Sequence, residues 1–148
     1  MTARLFAFVI APALLLAGCF LQDTASVELN GRDNAITLKR TQQWPWDSDL
    51  QVEVIMRRMP DCNAGGTIED VAHDAKLFLY YATENGVFLL KTGKRHYSVN
   101  SENCKVTRLK EAPEERGDKI GTFAEKDGVF QFAPAPAKTP GADEGNAQ

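Results

Sequence analysis

Polar and apolar positions alternate most cleanly over residues 50–57. Leu50, Val52, Val54 and Met56 take one side, and Gln51, Glu53 and Arg57 take the other. A period of two places successive side chains on opposite faces of a strand, so this segment predicts a half-buried β-strand, with Ile55 the exception. Residues 77–83 and 87–91 are nearly all apolar and flank Asn85-Gly86, the strongest short-range hairpin signal. A two-residue turn there would set Tyr81 opposite Leu90 and Ala82 opposite Leu89. Arms this apolar predict a central hairpin covered on both faces. A second hairpin is predicted at Asp127-Gly128, between 120–126 and 129–132, with Phe123 opposite Phe132. A looser one joins 27–29 to 36–39 through residues 30–34, and 105–110 reads as a weaker, edge-like strand.

One segment changes period. Ile68, Val71, Ala72, Ala75 and Phe78 fall at helical spacing, and Glu69 and Asp70 suit the first turn of a helix. A short helix is therefore predicted over 67–75, feeding the strand that follows. The fold class expected is mostly β: a small antiparallel meander or partly closed barrel with one short helix. The last residues, 133–148, hold no aromatic or branched aliphatic side chain, so burial cannot repay their ordering, and a disordered Pro/Ala tail is predicted.

The chain has 148 residues, 43% of them hydrophobic and 25% charged, with a formal charge of −3. That length suits one domain, and the mild acidity offers no basic footprint for nucleic acid. Arg57-Arg58 and, separately, Lys91, Lys94 and Arg95 would meet an anionic surface only if the fold brought them together. Candidate chemistry is sparse. Two histidines, His73 and His96, stand near Asp74 and Ser98 but lack the local context of a nucleophile elbow. Asn63-Ala64-Gly65-Gly66 lacks the Lys and Ser/Thr of a nucleotide loop. Asp47, Asp49 and Glu53 match the residue types of paired carboxylates in glycosidic chemistry, a signal barely above composition. No catalytic residue, metal site or cofactor is predicted. Both tryptophans stand on one rigid step, Trp44-Pro45-Trp46-Asp47. Buried, they would plug the end of a barrel, which is the expectation here. Exposed, they would form a binding surface that stacks on sugar rings or anchors a protein partner.

The start of the chain is more specific. Arg4 precedes an apolar run over residues 5–17, which as a helix spans about 20 Å against the ~30 Å of a hydrocarbon core. That length, with Pro12 inside it, fits a signal peptide rather than a membrane span. The run ends Leu16-Ala17-Gly18-Cys19, which resembles the lipobox of bacterial lipoproteins. The resemblance implies removal of residues 1–18, a diacylglyceryl thioether on the Cys19 sulfur, and an acyl chain such as palmitate on its new amino group. Together these exceed the two signals that stable attachment requires. Residues 19–26 would then be a lipidated tether and 27–132 a β-rich periplasmic domain. In lipoproteins of Gram-negative envelopes, Asp after the modified cysteine retains the protein at the inner membrane. Phe20 and Leu21 stand there instead, which points to the outer membrane.

If lipid consumes Cys19, Cys62 and Cys104 remain as one possible disulfide, worth roughly 4 kcal/mol on the chain-entropy model, with a pair of free buried thiols as the alternative. The functional expectation is a lipid-anchored, non-enzymatic accessory or binding module with an envelope protein partner. The second reading is a periplasmic inhibitor of lysozyme or another hydrolase, and an enzyme is the third. Small disulfide-bearing β-barrel lipoproteins that inhibit lysozyme are similar in size, anchor and class, but their Ser-Gly loop followed by Tyr is missing: here Tyr97 precedes Ser98-Val99-Asn100-Ser101.

Overall fold

A computed structural model describes residues 21–82 and 86–136, so the lipobox and most of the Pro/Ala tail lie outside the described residues. Among the described residues ten strands follow one another: β1 (Gln22–Glu28), β2 (Asn34–Thr41), β3 (Asp49–Arg58), β4 (Cys62–Ala72), β5 (Leu77–Tyr81), β6 (Val87–Thr92), β7 (Arg95–Asn100), β8 (Lys105–Leu109), β9 (Asp118–Lys126) and β10 (Val129–Pro134). The first four form an antiparallel meander. The other six form a second antiparallel sheet in the order β10-β9-β5-β6-β7-β8. The two sheets face each other across one core. At the seams, β4 lies against β8 and β1 against β10, but no ladder joins the sheets. The molecule is an open sandwich, not a closed barrel.

The alternation over 50–57 is realised: Leu50, Val52, Val54 and Met56 are all buried on the inner face of β3. The hairpin at Asp127-Gly128 forms with Phe123 opposite Phe132, their rings 4.8 Å apart. Asp127 and Gly128 both take positive φ, 55° and 77°, as a two-residue turn matching the strand twist requires. The β5–β6 hairpin is central, with Leu79 and Leu90 in the core and Leu89 buried on the other face. Its register differs from the expected one by two residues: Tyr81 pairs with Phe88, and Ala82 N–H donates to Val87 O. The connection spans four residues instead of two, and Asn85 lies outside the described residues. A slip of two preserves which side chains face inward.

The helix expected over 67–75 is absent. Those residues continue β4 and then turn into β5. Leu50 pairs with Val71 but Val52 pairs with Ile68, so β4 carries one extra residue in a bulge at Glu69 and Asp70, where Asp70 has φ 54°. The bulge resets the phase of the strand, and Ile68 and Val71 therefore both reach the core at a helical spacing of three. Gly65 and Gly66, read above as too poor for a nucleotide loop, lie within β4. A Cβ on Gly65 would fall 1.8 Å from Val54 O, and one on Gly66 would fall 3.1 Å from Val106 Cβ across the seam to β8.

Both boundaries of the domain move outward. The tether expected over 19–26 is instead strand from Gln22, which pairs with Thr41. At the other end, Ala133 and Pro134, read as tail, complete β10, and Ala135 N–H donates to Ile120 O. The Cys62–Cys104 disulfide is formed and ties the start of β4 to the residue before β8, closing one seam covalently.

Candidate functional site

The β2–β3 connection carries the surface feature that the core does not explain. Trp44 O accepts from Asp47 N–H at 3.0 Å, a β-turn with Pro45 at its second position. The Asp47 carboxylate accepts from Trp44 N–H at 3.0 Å, and Gln42 Nε2 donates to Asp47 O at 3.0 Å. These bonds fix the turn, and the two indoles stack face to face, centroids 5.4 Å apart and 10° from parallel. Trp44 is 55% exposed and Trp46 76%. The plug expected from the sequence is thus overturned. The Pro-fixed turn points away from the sandwich, and the core at this end is filled by other groups.

Beside the turn is a polar cleft of about 280 Å³ lined by Asp47, Asp49, Glu69 and Asp70. Asp47 and Asp49 of the expected carboxylate set are brought together there. Glu53 is not among the lining residues and lies 4.0 Å from Lys39. Among the described residues, no salt bridge reaches the four lining carboxylates, and no group of three or more His, Cys, Asp or Glu side chains is arranged to hold a metal ion. The bulge that places Glu69 and Asp70 is clamped from the other sheet: Arg95 donates to Glu69 O at 2.6 Å and Asp70 O at 2.7 Å.

The basic residues do not converge. Arg57 donates to Arg32 O and Arg58 pairs with Asp61 at one end of the sandwich, whereas Lys94 lies in the β6–β7 turn and Arg95 opens β7 at the other. Strand alternation separates the residues around His96. Tyr97 enters the core while His96 and Ser98 face the outer side of the larger sheet. Residues 110–117 cross that side between β8 and β9, where Leu89, Leu109, Pro113 and Ser98 help line a cavity of about 360 Å³.

His96 is buried, and its Nε2 has no hydrogen-bond partner among the described residues. Burial, reinforced by the nearby charges of Arg116 and Lys91, holds its pKa below the ordinary 6.5. Above that pH the imidazole is neutral in both folded and unfolded chains and contributes nothing. Below it the unfolded chain takes up a proton that the folded one resists, so stability is lost as pH falls through the unfolded value toward the folded one. Denaturation midpoints should therefore drop on acidification from neutrality, before carboxylates titrate, and His96→Phe should flatten that slope. An unchanged slope in the variant would remove His96 as its source.

A second cluster was not foreseen from the sequence. Arg40, on the inward phase of β2 after Ile36 and Leu38, is 1% exposed. Its guanidinium donates to both carboxylate oxygens of Asp23 (2.8 and 2.6 Å), to Glu125 at 3.1 Å and to His73 O at 3.2 Å, and lies 4.0 Å over the Phe130 ring. It joins β1, the β4–β5 turn and both strands of the last hairpin. Inward alternation at residue 40 was the available signal; its partners, distant in sequence, gave none.

The chain matches no protein family, no curated protein and no solved structure with which it was compared. Its class rests on its own geometry, an open ten-stranded antiparallel sandwich with a Cys62–Cys104 staple and an exposed tryptophan turn.

Proposed function

We propose that the chain is a lipid-anchored envelope lipoprotein, processed before Cys19 and held at the outer membrane with its sandwich in the periplasm, where it acts as a non-enzymatic accessory or binding module. The observation that carries this reading is the fate of the cysteines. The chain has three, and the disulfide takes Cys62 and Cys104, leaving Cys19 of the Leu16-Ala17-Gly18-Cys19 sequence as the one cysteine outside the bond. A disulfide also agrees with an oxidising compartment beyond the inner membrane. The start of β1 at Gln22 leaves a very short link between anchor and domain.

The anchor is tested in cells fed an alkyne analogue of palmitate, with the chain tagged after Gln148. The expected result is label on the wild type, none on Cys19→Ala, and a mature N-terminal peptide beginning at acylated Cys19. An unlabelled wild type with an unprocessed N-terminus overturns it. Crosslinking in the same cells tests the module, for which one stoichiometric envelope complex is expected. Recovery of only abundant membrane neighbours would overturn a stable partner and leave the anchor standing.

A further inference from the structure

We infer that Trp44 and Trp46 are a second membrane contact, seated at the head-group level of the bilayer that holds the Cys19 lipid; this rests on the anchor proposed above. The inference follows from where the chain enters the domain. Gln42 N–H donates to Leu21 O at 3.0 Å, and the Gln42 side chain donates to Asp47 O within the tryptophan turn. The turn is thus tied to a residue two positions after Cys19. Two residues of chain reach at most about 7 Å, so an anchored Cys19 keeps this end of the sandwich against the lipid surface.

The topology assembles the rest of that end. β1 leaves it, β2 returns to it, and the β4–β5, β6–β7 and β9–β10 turns lie on it too. Val129, 60% exposed at the start of β10, is therefore at the same end, whereas the described chain finishes beyond Pro134 at the opposite one. Exposed indoles gain most where one side is apolar and the other wet, the condition of a bilayer interface. The charges specify the surface further. Among the described residues, no salt bridge reaches Asp47 in the turn or Asp49 after it, while Lys94 and Lys126 occupy or border neighbouring turns. A mixed pattern suits zwitterionic head groups, with ammonium facing the carboxylates and phosphate facing the lysines, better than a purely anionic surface.

The chain's only two tryptophans are in this turn, so indole fluorescence reports on it alone. The lipidated protein, its N-terminal acylation verified by mass spectrometry, is reconstituted into vesicles of phosphatidylethanolamine with a minority of phosphatidylglycerol. Substituting phosphatidylethanolamine brominated high on its acyl chains should quench emission, as expected of interfacial indoles, and acrylamide should quench weakly. The variants Trp44→Phe and Trp46→Phe leave one reporter each, and each should keep the brominated-lipid response. Acylated protein insensitive to brominated lipid and freely quenched by acrylamide overturns the membrane contact but not the anchor. Indoles shielded from acrylamide only when a co-purified protein is present would overturn it in favour of a protein partner. A chain without acyl groups overturns both readings, and mass spectrometry separates that failure from the others.

Discussion

Arg40→Ala is expected to lower folding stability by about 2–5 kcal/mol, the range for deleting a large buried side chain from a core. Arg40 is 1% exposed, and burial by itself disfavours its charge. Hydrogen bonds to Asp23 and Glu125, and their negative charges, more than offset that, so its pKa stands above the ordinary value and the cation persists at every working pH. Truncation would empty a site in the core, uncover the face of Phe130 and leave His73 O without this donor. The two carboxylates lose less, because their side chains are 27% and 45% exposed and water can reach them. An order of effects follows. Asp23→Asn, which spoils a two-pronged contact, should cost about 1–2 kcal/mol, and Glu125→Gln under about 1 kcal/mol. Arg40→Lys keeps the charge but cannot span Asp23, Glu125 and His73 O at once, so it should recover only part of the loss. Denaturant midpoints of the four variants check the order. If Arg40→Ala unfolded like the wild type, the guanidinium would be a tolerated burial and the β1–β10 side of the sandwich would be held by apolar packing alone.

What was legible in the sequence was whatever local chemistry decides. The last hairpin could be read to its register because Asp127-Gly128 admits a tight turn whose length fixes every pair from Lys126–Val129 to Gly121–Pro134. At Asn85-Gly86 the same reasoning found the strands and their faces but missed the register, since a four-residue connection replaces the tight one. The bulge at Glu69-Asp70 defeated a period argument outright, because an extra residue in a strand imitates the spacing of a helix. The tryptophans failed differently. Hydrophobicity argued for burial, but Asp47 and Gln42 spend their hydrogen bonds on holding the turn, and the turn leaves both rings outside. Cys62 and Cys104 could be paired only on the condition, taken from the lipobox resemblance, that lipid consumes Cys19, while which seam they close depended on the order of strands in two sheets, which no local pattern contains.

That seam gives the second large effect. Reducing the Cys62–Cys104 bond, or replacing both residues with alanine, should cost roughly 4 kcal/mol, as the entropy of an unfolded loop of this size implies. The bond spans a sequence separation of 42 and, apart from the main chain between β4 and β5, is the only covalent link between the sheets among the described residues. Its surroundings are built for it. Asn100 Oδ1 accepts from Glu102 N–H and Asn103 N–H, Asn103 Oδ1 accepts from Lys105 N–H, and the resulting turn presents a fully buried Cys104 at φ 54°. Below the bond the seam depends on the close approach of Gly66 to Val106 and on the fork of Arg95 to the bulge carbonyls. Domains of this size are stable by about 5–15 kcal/mol, so losing the staple removes a large share. Reductant should shift the wild-type midpoint onto that of the double variant and leave the variant unmoved. Hydrogen exchange should then quicken first in β4 and β8, which face each other across the seam. A reduced wild type as stable as the oxidised form, with β4 and β8 still protected, would assign the closure of this edge to Arg95 and the glycine contact, not to the disulfide.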